Sequence, residues 1–135
     1  MTPTVEYVES KIKFFNDLVF GSCLPPIPVK LSRARTYLGR VQFRVRRNLF
    51  GRVTGCTDFL MRISVMYDFP ERELEDVILH EMIHYYIAWK GLGDKSAHGP
   101  LFRSYMNRIN RDFGRNVRIS YKAAQTDFIK DHERR

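Results

Sequence analysis

His80-Glu81-Met82-Ile83-His84 sits in the middle of a run, Glu71 to Lys90, that reads as one helix. Residues four apart on a helix share a face, one turn above the other. The imidazoles of His80 and His84 therefore stand side by side, close enough to hold one metal ion between them. Glu81 follows the first of them, so its carboxylate can reach a water on the same ion. Hydrolytic metal chemistry needs this set: neutral nitrogen ligands, an open coordination position and a base beside it. The alternative is an ordinary helix bearing two partly buried histidines and a surface glutamate.

The neighbouring residues weigh against that alternative. Leu74, Val77, Ile78, Met82, Ile83, Tyr85, Ile87 and Trp89 surround the run almost completely with apolar groups. A helix apolar nearly all round is a buried one. Burying His-Glu-His inside it costs free energy unless the polar groups find partners, and a metal ion is such a partner. Pro70 suits the helix start, where its missing N–H loses nothing. Glu71, Glu73, Glu75 and Asp76 lie near the positive end of the dipole.

Upstream, Val29–Ala34, Tyr37–Arg47 and Phe59–Tyr67 read as strands, with a glycine-bearing turn at Asn48–Gly55. In the second strand Val41, Phe43 and Val45 alternate with Arg40, Gln42, Arg44 and Arg46, which predicts one core face and one row of arginines. In the third, Met61, Ile63 and Val65 oppose Arg62 and Ser64. Short links between the strands predict an antiparallel three-stranded meander. Val5, Val8, Ile12, Phe15, Leu18 and Val19 form the apolar face of an N-terminal helix that stops at Gly21. Downstream, Pro100 opens a further amphipathic helix, built on Phe102, Tyr105, Met106, Ile109 and Phe113 and ended by Gly114. Val117–Tyr121 reads as a last short strand. The expected fold is α+β: an N-terminal helix and a buried motif helix on a small antiparallel sheet, then a third helix. Residues 1–121 are expected to form one domain, and 122–135 a polar tail that is disordered or loosely helical.

The 135 residues suit a single domain with its own core. No apolar run approaches the roughly 20 residues that span a bilayer, and Met1–Glu6 does not begin a secretory signal. Cys23 and Cys56 have no paired spacing, so a reducing, intracellular setting is expected, cytoplasmic or associated with the nucleoid. The net charge is +8. Lys30, Arg33, Arg35, Arg40, Arg44, Arg46, Arg47 and Arg52 fall in a stretch without an acidic residue. A second group comprises Arg103, Arg108, Arg111, Arg115, Arg118 and Lys122. Arginine suits phosphate geometry, so a nucleic-acid face is weighed against a merely solvated one, with Arg40, Arg44, Arg46 and Arg47 as its candidates.

A catalytic zinc usually takes three protein ligands. His98, beyond the glycine-bearing loop, can turn back beneath the motif helix; Asp94 or a later acid is the less favoured choice, and His132 reads as a surface residue. Leu79–Tyr86, Ala97-His98-Gly99-Pro100-Leu101-Phe102 and Met106-Asn107-Arg108-Ile109-Asn110 together resemble the SprT-like family of zinc metallopeptidases. Phe15-Asn16-Asp17, Leu24-Pro25, Leu38-Gly39 and Ile63-Ser64 fit that family's lead-in. The resemblance covers roughly residues 12 to 113. It implies a zincin-like fold, one Zn2+ on His80, His84 and His98, Glu81 as catalytic base, and substrates that are proteins bound or crosslinked to DNA. The family's cysteine zinc ribbon has no counterpart in these residues, so DNA contact is expected from the arginines. The competing expectation is a non-enzymatic module, in which zinc stabilises a surface that binds DNA or a transcription complex. Tyr85, Tyr86 and Tyr105 are open to an oxyanion role but read more readily as core.

Overall fold

Of the strands, the one with the most deeply buried side chains takes the middle of the sheet. The computed structural model describes residues 1–121 and 127–128. Along the chain come α1 (Val5–Val19), β1 (Val29–Ser32), β2 (Gly39–Arg47), β3 (Val53–Ser64), β4 (Tyr67–Asp68), α2 (Glu71–Trp89), α3 (Pro100–Phe113) and β5 (Asp127–Phe128). The fold is α+β, as expected, with three helices over a small sheet among the described residues.

The sheet is mixed rather than an antiparallel meander. Its order is β1-β3-β2. β1 runs parallel to β3, pairing Val29 with Met61 and Leu31 with Ile63, and β2 runs antiparallel to it, pairing Val41 with Met61. The physical reason lies in which strand can be central. Met61 and Ile63 of β3 are wholly buried, whereas β2 exposes Arg40, Arg44, Arg46 and Arg47. A charged strand belongs at an edge, where its outer side faces water. The segment from Arg33 to Leu38 carries the chain from one side of β3 to the other.

The predicted core face of β2 ends early. Val41 is half-buried, but Phe43 and Val45 are 39% and 45% exposed because the sheet there runs past the helices. The predicted third strand also breaks. Ser64 turns inward, donating its hydroxyl to the Ala34 carbonyl at 2.6 Å and accepting the Met66 N–H at 3.1 Å. Val65 is left only half-buried, and Tyr67–Asp68 pairs instead with Asp127–Phe128.

In α1, Val8, Ile12 and Phe15 are buried, and Thr4 caps the helix by accepting the Tyr7 N–H at 3.1 Å. Leu18, expected inside, is 50% exposed. Asn16 pins the proline-rich connector through both backbone groups of Leu24, at 3.0 and 3.1 Å. Leu74, Val77, Ile78, Met82, Ile83 and Tyr85 of α2 are buried almost completely, as its apolar pattern predicts, but Ile87 is half-buried and Trp89 is exposed at the helix end. Val117–Tyr121 is not a strand. Its polar backbone is taken by side chains: Asn110 binds both Val117 backbone groups at 2.8 and 2.9 Å, and the Tyr121 hydroxyl accepts the Arg118 N–H at 3.2 Å. His132 and the rest of the predicted tail lie outside the described residues, apart from the strand at 127–128. No helix among the described residues is long and apolar enough to cross a membrane.

Candidate metal centre and the groove beside it

The helical spacing of His80 and His84 brings their Nε2 atoms to 3.2 Å of each other. The loop after α2 delivers His98, whose Nε2 lies 3.1 Å from both. Three imidazole nitrogens thus mark a small triangle. Bonds of about 2.0–2.1 Å in tetrahedral geometry need nitrogens about 3.3 Å apart, so a triangle of this size could hold one cation. Among the described residues these three histidines form the group that could hold a metal ion.

The protonation pattern agrees with that role. The Arg118 carbonyl can only accept, so at 2.7 Å the His80 Nδ1 carries the hydrogen and Nε2 turns its lone pair to the centre. Burial holds His80 down to about 4 and His84 down to about 3, with the neighbouring imidazoles lowering each further. His98 is lowered by burial and by Arg103. The rings are therefore neutral near pH 7, as metal ligation requires. Phe102, wholly buried, packs its ring 4.6 Å from His84 and 4.9 Å from His80 and His98, closing the inner side of the triangle.

Asp94 is not placed as a ligand. It caps α3, accepting the N–H groups of Phe102 at 2.8 Å and Leu101 at 3.3 Å. Gly99 makes room for it: a Cβ there would stand 2.3 Å from Asp94 Oδ1. The cap fixes the turn from which His98 reaches back.

Glu81 lies beside the triangle, its Oε2 3.8 Å from His80 Nε2. It is buried, and burial pushes its carboxyl up to about 8, while a hydrogen bond from the Val41 backbone opposes the rise. A divalent cation held by the three histidines would favour the carboxylate form. Gly39 sets the spacing between α2 and the sheet, since a Cβ there would meet Glu81 Cγ at 3.0 Å, Val77 Cγ1 at 3.1 Å and Ile63 Cδ1 at 3.2 Å.

The centre opens on two sides. A groove of about 750 Å3 runs between β2 and the end of α2, with Val41, Phe43, Val53, Ile87 and Leu92 on its walls. A smaller cleft of about 360 Å3 lies beyond, against Thr36, Tyr37 and Tyr121. His80, Glu81 and His98 border both, so the centre lies in a through-going trough.

The other candidates divide. Arg40, Arg44, Arg46 and Arg47 are all exposed on β2. The second basic group is split: Arg103, Arg108 and Arg111 are exposed on α3, Arg115 and Arg118 are tied to α2, and Lys122 lies outside the described residues. Arg115 pairs with Asp76 at 2.8 Å and Glu75 at 3.4 Å, and Arg118 with Glu73 at 2.7 Å. These pairs engage Glu73, Glu75 and Asp76 of α2 and strap residues 115–118 along it. Tyr85 donates to the Pro25 carbonyl at 2.9 Å, and Tyr86 stacks with Phe20 and Tyr105, so these tyrosines serve packing. The Arg118 carbonyl, Asp94 and Gly39 carry structural roles that linear spacing did not reveal. In the sequence Asp94 reads as a less favoured ligand, Arg118 as one of the second basic group, and Gly39 only as part of the resemblance.

Residues 8–123 match the model of the SprT-like family. The chain is similar to the DNA-dependent metalloprotease SPRTN of Bos taurus, with 41% identity over 106 residues, 78% of this chain and 20% of that protein. To SPRTN of Danio rerio it is 31% identical over 120 residues, 87% of this chain and 18% of that protein. With the DNA-dependent metalloprotease dvc-1 of Caenorhabditis elegans it shares 43% identity over 51 residues, 37% of this chain and 14% of that protein. The chain spans about a fifth or less of the length of these relatives.

Proposed function

This chain belongs to the SprT-like family, and from that premise we propose that it is a zinc-dependent peptidase acting on proteins held on DNA. The observation that carries the proposal is the triangle of His80, His84 and His98 Nε2 atoms with Glu81 beside it, open to an apolar groove. Three ligands rather than four among the described residues leave a coordination position, which is the catalytic pattern. Imidazole also suits other divalent ions; zinc is the choice that the family and the donor set favour.

A cation held by His80, His84 and His98 would supply Lewis acidity and lower the pKa of a water beside it. Glu81 would take the proton of the water whose oxygen adds to the peptide carbonyl carbon, and would return that proton to the amine nitrogen released when the C–N bond breaks. His80, His84 and His98 stay neutral and hold position. Val41, Phe43 and Leu92 line the groove and offer the substrate chain an apolar wall. Arg40, Arg44, Arg46 and Arg47 give DNA a basic edge next to the groove. The domain that does this is residues 1–121, and the setting is intracellular.

The test is metal analysis of the purified chain, joined to degradation of a DNA-bound protein with and without the DNA. The competing function, a metal-stabilised binding module, predicts metal and DNA binding without cleavage. The apolar groove beside an open centre favours the enzyme.

A further inference from the structure

The β2–β3 hairpin carries a feature that the metal centre does not use. At its tip Leu49 and Phe50 stand in solvent, 102% and 91% exposed, although side chains of this kind are usually buried. The tip is closed by hydrogen bonds. Asn48 N–H donates to the Arg52 carbonyl at 2.9 Å and Gly51 N–H to the Asn48 carbonyl at 3.0 Å. Asn48 Oδ1 accepts from Phe50 N–H at 2.9 Å and from Arg52 N–H at 3.0 Å. Gly51, at φ 78°, makes the turn. The two apolar side chains are thus held outward by an ordered turn.

Arginines flank them on both arms of the hairpin. Arg44, Arg46, Arg47 and Arg52 are all exposed. Arg44 approaches Asp58 at 3.7 Å and Arg47 donates to the Gly51 carbonyl at 3.0 Å. Arg46 and Arg52 make no ion pair among the described residues. From Lys30 to Thr57 the sequence has no acidic residue. An aromatic ring among guanidinium groups complements a polyanion that also offers flat apolar faces. Single-stranded nucleic acid has both: phosphates for the arginines and unpaired bases for the ring. A duplex hides its base faces in the stack. An anionic bilayer would want a larger apolar area than one leucine and one phenylalanine.

We propose that this hairpin tip binds unpaired nucleic acid, with Phe50 and Leu49 packing on bases and Arg46, Arg47 and Arg52 meeting the flanking phosphates. The same ribbon lines the groove through Val41, Phe43 and Val53. From Val41 to Leu49 the strand reaches about 25 Å at roughly 3.3 Å per residue. A strand held at the tip therefore keeps any protein attached to it within reach of the groove. The tip site does not depend on the metal chemistry, and either can fail while the other stands.

The test measures binding of the whole chain to a labelled oligothymidylate and to a duplex of equal length, by fluorescence anisotropy across a salt series. Leu49→Ser/Phe50→Ser alters only solvent-exposed side chains, so its thermal midpoint should match the parent's. It should bind the oligothymidylate about tenfold more weakly and the duplex as the parent does. Arg46→Gln/Arg52→Gln should weaken both and flatten the salt dependence. Unchanged oligothymidylate binding by the serine variant would overturn the proposal. So would equal losses on both nucleic acids, or a parent that binds phosphatidylserine vesicles and neither nucleic acid.

Discussion

The Nδ1 of His80 donates to the backbone carbonyl of Arg118 across 2.7 Å. That carbonyl is not free to drift. Val117 beside it is clamped by Asn110, and the Arg118 side chain is tied to Glu73 at 2.7 Å. The strap that follows α3 thus fixes the tautomer and tilt of a ring at the candidate centre. Outer partners of this kind typically change metal affinity 10- to 100-fold. Arg118→Ala is expected to keep the fold and weaken zinc binding about tenfold, read by chelator competition. Unaltered affinity would separate the strap from the centre.

Arg115 is expected to matter for stability instead. Its pair with Asp76 is buried, with side chains 9% and 5% exposed. Arg115→Ala leaves Asp76 uncompensated and should cost about 3 kcal/mol, measured by urea unfolding. Joining Asp76→Leu to Arg115→Met should recover most of that loss, because the destabilisation comes from the orphaned charge.

Gly39→Ala tests the spacing between sheet and helix. The added Cβ meets Glu81 Cγ at 3.0 Å, Val77 Cγ1 at 3.1 Å and Ile63 Cδ1 at 3.2 Å, so these side chains must give by a few tenths of an ångström, Glu81 among them. Overpacking costs about 1–3 kcal/mol, and if Glu81 is the base, small displacements of its carboxylate lower the rate, by about 100-fold at 1 Å. Turnover is therefore expected to fall far more than the melting midpoint suggests, with the metal retained.

Stability of the chelated protein should be greatest near pH 6.5. His80 and His84 ionise at 6.5 when unfolded but at about 4 and about 3 in the fold, so the stability they lend is lost as pH falls below 6.5. Glu81 moves the other way, from 4.5 to about 8, so the fold loses stability as pH rises through that window. From about 4 to 6.5 two histidines outweigh one glutamate, and above 6.5 only the glutamate still changes. Thermal midpoints across pH 4 to 9 check this. A midpoint still climbing from pH 7 to 8 would deny Glu81 its buried position.

How much of this was legible in the sequence depended on distance along the chain. The pair His80 and His84 is set by one helical turn, and local spacing reveals it. His98 was approachable because Gly99 and Pro100 announce a helix start that anchors it. Asp94 looked like a spare ligand, since nothing in the line of residues shows that it caps α3. The sheet order was hidden for a related reason. A short link between β1 and β2 suggests a hairpin, and only the competition for the central place puts β3 between them. Arg115 and Arg118 read as free charge because their acidic partners lie about forty residues earlier, at Glu73, Glu75 and Asp76.

The most direct test is the behaviour of Glu81→Gln. The purified parent and the variant should each carry one zinc per chain and melt alike, while only the parent cleaves a protein bound to DNA. Cleavage by the variant at the parent's rate, or a parent that folds without any metal and still cleaves, would contradict the account.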